Sequence, residues 1–192
     1  MRRGEIIEKM KITSISSNGK AVGRKNNLVI FVNQGAPGDI IDVKIIGREK
    51  KFLIGSPIFF YEKSSDRTEP FCEHFGVCGG CKWQHLNYSA QLKFKSQHAK
   101  ENLRKISKME LPKAEPIMGS AETEHYRNKL EYTFSNNRWL NQEEIQTEEL
   151  INKNALGFHI PRMFDKILDI NQCHLQPNPS NEIRLALKKF AN

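Results

Sequence analysis

The sequence predicts a mostly β chain in two parts: a small OB-like β-barrel, followed by a mixed α/β domain organised around a cysteine metal site. Three observations support this prediction. Short stretches rich in Ile, Val and Phe, separated by Gly and Asn turn signals, fill residues 1–62. Residues 63–70 are polar and read as a linker. Three of the four cysteines, Cys72, Cys78 and Cys81, then fall within ten residues.

The first part is predicted to be a closed barrel. Strand-like stretches are KITSIS, NLVIFVN and DIIDVKIIGREKKFLIGSPIFF, and closing such short strands into a barrel removes exposed sheet edges. Residues 1–62 carry eleven Lys and Arg against six acids. Since OB-like barrels commonly bind nucleic acid on one face, we expect nucleic-acid binding here, with a spacer role as the alternative.

Charge and composition restrict the class of protein. The 192 residues include 30 Lys and Arg against 22 acids, a formal charge of +8, which is expected of proteins that meet a polyanion. No apolar run approaches the length of a membrane span, and the N-terminus MRRGEIIEKM has no signal-peptide core. We therefore expect a cytoplasmic protein with no membrane association. In that compartment structural disulfides are rare, so the cysteines need another explanation.

The cysteine spacing indicates metal binding. Cys72, Cys78 and Cys81 follow the pattern C-x5-C-x2-C among several glycines, and Cys173 lies 92 residues after Cys81. Structural zinc sites usually pair two short knuckles, whereas a compact triple with one remote thiol is more typical of iron–sulfur ligation. Zinc remains open at this point, because three histidines neighbour the cysteines and could replace one: His74, His85 and His174. Inert buried cysteines are the third reading.

After the cysteines the pattern predicts a helix from Asn87 onward, capped by Asn87 or Ser89. Its predicted apolar face comprises Leu92, Ala99, Leu103 and Ile106. The opposite face is basic and includes Lys93, Lys95, Lys100 and Arg104. A basic helix face is either a solvated surface or a polyanion contact.

The last third is predicted to contain three strands and a helix. The strands are HYRNKLEYTFS, NALGFHI and DKILDINQCHL, with an acidic exposed loop or hairpin tip between the first two that contains Glu143, Glu144, Glu148 and Glu149. A helix is predicted to open at Asn178-Pro179, with an apolar stripe of Ile183, Leu187 and Phe190.

The cysteine region resembles a known signature. FCEHFGVCGGCKWQHLNYSAQLKFKSQHAKENLRKI is similar to the RNA uracil-5-methyltransferases of the RumA/TrmA class, in their cluster-containing branch; the matching residues are Cys72, Cys78, Cys81, Gln84, His85, Leu86, Tyr88, Gln91, Leu92 and Lys95. Residues 1–62 resemble the TRAM RNA-binding barrel. HYRNKLEYTF and the stretch from Leu156 to His159, followed by Cys173, resemble further parts of the family.

The resemblance implies a role for each part. It implies a TRAM barrel at 1–62, and a domain at 71–192 that holds a [4Fe-4S] cluster through Cys72, Cys78, Cys81 and Cys173. It implies RNA as the partner, with 23S rRNA favoured over tRNA. The residues then expected to contact RNA are Lys93, Lys95, Lys100, Arg104, Arg127, Asn128, Lys129, Phe158 and His159. Phe158 and Trp83 would stack on bases unless they are core residues, and Arg127 could instead pair with Glu131.

The sequence also departs from the family. No Gly-rich strand–turn–helix for S-adenosylmethionine is present, and all four cysteines are assigned to the metal site, so none remains as a nucleophile. We therefore expect the N-terminal portion of a longer methyltransferase, with no catalytic residue and no S-adenosylmethionine bound by this segment. The alternative is a stand-alone, non-enzymatic RNA-binding protein with a structural zinc or iron–sulfur site. A TRAM-bearing radical enzyme fits neither the cysteine spacing nor the domain order.

Overall fold

The computed structural model describes residues 2–147 and 150–191. By internal contacts the chain divides into two compact units. The first comprises Met1–Glu69 and Lys82–Gly119, and the second comprises Pro70–Cys81 and Ser120–Asn192. This division differs from the predicted boundaries at 62 and 70, because residues 63–69 and the helix after the cysteines both group with the N-terminal strands.

The first unit contains a closed five-stranded barrel, as the sequence predicts. Its strands are β1 (Ile6–Ile15), β2 (Ala21–Lys25), β3 (Leu28–Val32), β4 (Ile40–Arg48) and β5 (Phe52–Glu62). They close in the order β1-β2-β3-β5-β4, and only the β3–β5 pair is parallel among these pairings. Alternate side chains face inward, and the core is aliphatic: Ile7, Met10, Ile12, Ala21, Ile30, Val32, Ile41, Val43, Ile45 and Leu53.

A buried ion pair fastens residues 63–69 to the barrel, so this predicted linker is anchored. The Asp39 carboxylate is fully buried and accepts two hydrogen bonds from Arg67, at 2.8 and 2.7 Å. It also accepts from the backbone amides of Ala36 and Ser64. Burial by itself raises the pKa of Asp39, but these hydrogen bonds and the Arg67 charge outweigh it and lower the pKa below 3.8.

The predicted helix is present as α1 (Tyr88–Ser107), and Asn87 caps it by accepting a hydrogen bond from the amide of Ala90. The predicted apolar face is wrong. The buried residues are Ala90 and Phe94, which pack with Ile15, Ala36 and Leu86, whereas Leu103 and Ile106 are 55% and 81% exposed. The helix therefore docks through its first two turns, and its last two turns present apolar side chains to solvent within this unit.

The second unit holds a three-stranded antiparallel sheet, β6 (Thr133–Ser135), β7 (Ala155–Ile160) and β8 (Met163–Asp169), in that order. Two of the predicted strands are confirmed. The predicted strand over 125–135 is confirmed only at its end, because residues 125–132 lie outside the sheet.

Two helices complete the second unit. A short helix, α2 (Gln142–Gln146), replaces the predicted acidic loop, since Asn141 and Glu144 form a capping box. Glu144 also pairs with Arg138 at 2.7 Å, while Glu148 and Glu149 lie outside the described residues. The terminal helix is α3 (Ser180–Ala191), and its predicted stripe is largely exposed: Ile183, Leu187 and Phe190. The residue that α3 buries is Arg184. Among the helices of the described ranges, none combines the length and apolar character needed to cross a bilayer.

Candidate metal centre and nucleic-acid surfaces

The loop that carries Cys72 and Cys78 is curled by backbone hydrogen bonds. The amide of Phe75 donates to the carbonyl of Cys72 at 3.0 Å, and the amide of Cys78 donates to the carbonyl of His74 at 2.9 Å. Gly76 has φ of +93°, a left-handed conformation that favours glycine. This turn returns Cys78 toward Cys72, as the glycine spacing predicts.

The four cysteines belong to the same unit and influence each other electrostatically. Burial raises the pKa of Cys72, and the charge of Cys173 acts in the same direction. Burial likewise raises the pKa of Cys78, reinforced by the charges of Cys81, Cys72 and Cys173. Thiolates so close to each other are unfavourable unless a cation neutralises them, because like charges disfavour ionisation. The structure thus brings the remote Cys173 to the loop, as expected for a shared metal site.

Two residues of α3 hold Cys173 in place. The side chain of Asn181 accepts a hydrogen bond from the Cys173 amide and donates to the Cys173 carbonyl, both at 2.9 Å. Arg184, only 3% exposed, donates to the carbonyls of Ile170 and Asn171. The segment before Cys173 is therefore tied to the helix that follows it.

The surroundings of Cys173 are largely apolar. Cys78 and Cys173 pack with Ile160, Leu168 and Ile170, with a rim of half-buried side chains: Leu130, Tyr132, Trp139, Phe158 and Leu175. Burial, together with the adjacent Cys173, raises the pKa of Tyr132 to about 12, so its hydroxyl stays neutral. A low-dielectric shell of this kind limits solvent access to a metal centre.

The sulfur arrangement suits a cluster better than a single ion. A tetrahedral zinc with Zn–S bonds of about 2.3 Å would draw its sulfurs to within roughly 4 Å of each other. Among the described residues, the group of three ligand atoms that lies within 4.8 Å is Glu124, His125 and His174, and it contains no cysteine. The amide of Gly80 donates to the Cys78 sulfur at 3.4 Å, which is the kind of hydrogen bond that stabilises cluster thiolates. The four thiols therefore fit an iron–sulfur cluster.

The histidines that left zinc open are otherwise engaged. The amide of Asn171 donates to Nε2 of His74 at 3.0 Å, which requires that nitrogen to be unprotonated. The approach of Glu73 to the same nitrogen, at 3.4 Å, is therefore not an ion pair. Burial also lowers the pKa of His74. His85 groups with the barrel unit, where Nε2 contacts the carbonyl of Gly35 at 3.1 Å.

The basic residues predicted on the helix are all exposed: Lys93, Lys95, Lys100 and Arg104. None of them replaces the buried residues Ala90 and Phe94, so their ammonium and guanidinium groups face solvent in the barrel unit. The surface can hold phosphates of a polyanion without any rearrangement of the helix.

The second predicted set lies at a groove of the other unit. Arg127 and Asn128 line an open groove of about 570 Å³, together with Leu130, Tyr132, Ile183 and Leu187 among other residues. The guanidinium of Arg127 donates to the carbonyl of Lys129 at 3.2 Å and so does not pair with Glu131, while Lys129 contacts Glu131 at 3.1 Å on an exposed surface. Arg127 keeps donors available for a ligand.

The aromatic residues are less available for stacking than predicted. Phe158 is half-buried and stacks on Tyr132, with ring centroids 4.8 Å apart. Trp83 is half-buried and donates from Nε1 to the carbonyl of Gly19 at 3.0 Å. His159 is exposed, next to Phe164 and Thr133. Sequence reasoning missed Asn181 and Arg184, whose only signal is their presence in a helix shortly after Cys173.

Comparison with known proteins gives a consistent result. The TRAM domain family matches residues 3–58. The chain is 49% identical over 178 residues to a protein named uncharacterized RNA methyltransferase from Bacteroides thetaiotaomicron, covering 92% of this chain and 39% of that protein. It is 45% identical over 187 residues to one of the same name from Porphyromonas gingivalis, covering 94% and 40%.

A solved structure is also similar. The crystal structure of Pyrococcus abyssi tRNA (uracil-54, C5)-methyltransferase in complex with S-adenosyl-L-homocysteine matches with a TM-score of 0.57 and 26% identity, over 95% of this chain and 36% of that one. The chain spans about two-fifths of the length of the curated relatives it matches.

Proposed function

We propose that this chain is the RNA-binding, [4Fe-4S]-containing N-terminal portion of an S-adenosylmethionine-dependent RNA 5-methyluridine methyltransferase, with 23S rRNA as its substrate. One observation carries the proposal. Over more than nine-tenths of its own length the chain resembles proteins named RNA methyltransferases, and the matching solved enzyme methylates uracil C5 by its name. That similarity extends over both the barrel unit and the four-cysteine unit.

The TRAM-like barrel and the adjoining basic helix would bind the RNA. Salt-sensitive phosphate contacts are the expected contribution of Lys93, Lys95, Lys100 and Arg104, since each neutralised phosphate releases counterions. In the other unit, Arg127 and Asn128 offer polar groups at a groove whose floor is apolar, a combination suited to an unstacked nucleotide. Uracil C5 is reached only when the base leaves its stack, so contacts of this kind would stabilise the extruded nucleotide.

The cysteine centre would have a structural role. Cys72, Cys78, Cys81 and Cys173 would hold the cluster, which when bound supplies four iron–thiolate links that join the loop to the segment after β8. Asn181 and Arg184 orient the Cys173 backbone, and the apolar rim excludes water. With all four thiols so used, methyl transfer and S-adenosylmethionine binding are assigned to a region outside these 192 residues.

Methyl transfer tests the proposed activity. The 192-residue chain and a longer protein that continues through a methyltransferase domain are each incubated with labelled S-adenosylmethionine and total RNA. We expect 5-methyluridine in 23S rRNA with the longer protein and none with the short chain. Label in tRNA would correct the substrate, and absence of 5-methyluridine from all RNA would refute the enzyme assignment.

Metal analysis tests the cofactor. After anaerobic purification, we expect about four iron and four sulfide per chain and a brown colour. C78S and C173S should both lose the cluster, because one ligand comes from the loop and the other from the remote segment. A colourless protein with stoichiometric zinc would refute the cluster.

A further inference from the structure

A second cluster of metal-ligating side chains lies in the C-terminal unit and uses no cysteine. Ligand atoms of Glu124, His125 and His174 all lie within 4.8 Å of one another. They come from two segments distant in sequence, one before β6 and one after β8. Glu124 and His174 are half-buried, and His125 is exposed.

The backbone holds these two segments together independently of any ion. The amide of His125 donates to the carbonyl of His174 at 2.8 Å, and the amide of Arg127 donates to the carbonyl of Leu175 at 2.7 Å. The His174 ring packs edge-on against Phe71, with centroids 5.2 Å apart. The positions of the three side chains are therefore set by the fold.

The hydrogen bonding of His125 is also typical of a metal ligand. Its Nδ1 lies 2.8 Å from the carbonyl of Gln176, and since a carbonyl only accepts, Nδ1 carries the proton. The lone pair is then on Nε2. Metal-ligating histidines usually donate their other ring nitrogen to a carbonyl or carboxylate in this way, which fixes tautomer and ring orientation.

The spacing between Glu124 and His174 fits a shared ion. Oε2 of Glu124 lies 3.7 Å from Nδ1 of His174, which is beyond a hydrogen bond. Two donors that are each about 2.1 Å from one zinc ion are separated by at most roughly 4.2 Å, so 3.7 Å is compatible with one ion between them. Rotation of the exposed His125 ring brings its nitrogen to the same distance.

We propose that Glu124, His125 and His174 bind one divalent transition-metal ion, zinc being the best match. Two imidazoles and a carboxylate are an accepted zinc ligand set with a fourth position for water, and imidazole ligands disfavour magnesium and calcium. The ion joins residues 124–125 to the residue that follows Cys173. It is a separate site from the four cysteines and does not depend on the function proposed above.

Zinc binding tests this site with matched variants. Wild type, E124Q, H125Q and the control H159Q are dialysed anaerobically against Zn²⁺ with a competing chelator, and zinc, iron and sulfide are measured. His159 is an exposed histidine of the same unit outside the cluster, so H159Q makes the same chemical change elsewhere. We expect wild type and H159Q to retain one zinc more per chain than E124Q and H125Q, whose zinc affinity falls at least about tenfold.

The readout separates the two metal sites. Iron and sulfide content should be equal in all four proteins, because Glu124 and His125 do not ligate the cluster. Circular dichroism checks the fold, and E124Q, which preserves the size of the side chain, decides the result if H125Q misfolds. Equal zinc content and affinity in wild type and E124Q would overturn the proposal.

Discussion

Replacement of Asp39 by asparagine removes one charge from a fully buried ion pair and leaves the shape of the side chain unchanged. In the native barrel this carboxylate accepts four hydrogen bonds, two from Arg67 and one each from the amides of Ala36 and Ser64. An asparagine side chain offers one oxygen and one NH₂ group, so at least one donor faces another donor. Removal of one partner from a buried pair costs about 3–5 kcal/mol, and we expect D39N to lose this much free energy of unfolding.

The measurement uses the two tryptophans, one in each unit. In a W139F background, Trp83 is the only remaining tryptophan, and it packs with Leu86 and Ala90 in the barrel unit. Urea unfolding followed by Trp83 fluorescence then gives the stability of that unit. The matched control is D42N, since Asp42 is also on the barrel but is solvent-accessible, and it should cost less than about 1 kcal/mol.

The pH dependence provides a second check. Because the pKa of Asp39 is lower in the folded barrel than its ordinary 3.8, the carboxylate contributes stability above pH 3.8 and loses that contribution as pH falls through the folded value. The stability difference between wild type and D39N should therefore be constant near neutral pH and shrink below pH 3.8. A cost below 1 kcal/mol at pH 7, or a difference that grows in acid, would refute the reasoning.

Three further predictions concern the sheet, the anchor of Cys173 and the basic helix. G157A places a Cβ 1.9 Å from the carbonyl oxygen of Leu168, and should cost about 3 kcal/mol or more in urea unfolding followed by Trp139 in a W83F background; G47A, with its nearest contact at 3.6 Å, should be tolerated. R184M removes charge-assisted hydrogen bonds to two carbonyls and should cost about 2–4 kcal/mol and speed the loss of iron in air; retention of iron equal to that of wild type would contradict the anchoring role. K93E/K95E should weaken RNA binding and lower the magnitude of the salt slope by about 0.7 for each lost phosphate contact on single-stranded RNA, whereas the charge-matched K153E/K189E should change it little; equal effects would show a general charge response.

The barrel was predictable because its physics is local. Strands β3, β4 and β5 are dense in β-branched residues and are bounded by Gly, Asn and Asp, so their sequence pattern indicates both element and turn. Strand β2 was missed, since Gly23, Arg24 and Lys25 make three of its five residues poor strand formers. Its conformation comes from pairing with β1 and β3, and a tertiary partner of that kind is not visible in a short window.

The errors in the second half have the same origin. Residues 125–132 alternate like a strand, but two backbone hydrogen bonds to His174 and Leu175 hold the segment near them instead of in the sheet. On α1 the periodicity favoured Leu103 and Ile106, yet only the first turns meet an apolar surface. Hydrophobic period describes what a face can bury and does not identify the part of it that finds a partner.

The cysteine site was predictable in its ligands and not in its support. Spacing and glycines identify Cys72, Cys78 and Cys81, because a local turn must aim several thiols at one centre. Nothing in the sequence indicates that Asn181 would hold the Cys173 backbone or that Arg184 would be buried. Those roles depend on where α3 packs, which is a property of the whole unit.

The attachment of Cys173 to α3 has a consequence for biosynthesis. A ribosome adding about 5–20 residues per second needs roughly 5–20 s to proceed from Cys81 to Cys173, and must still deliver Asn181 and Arg184 before the last thiol is anchored. During that interval the first three thiols have been made without their fourth partner. Under the proposed function, cluster insertion would follow translation of α3, and nascent chains would depend on a reducing environment until then.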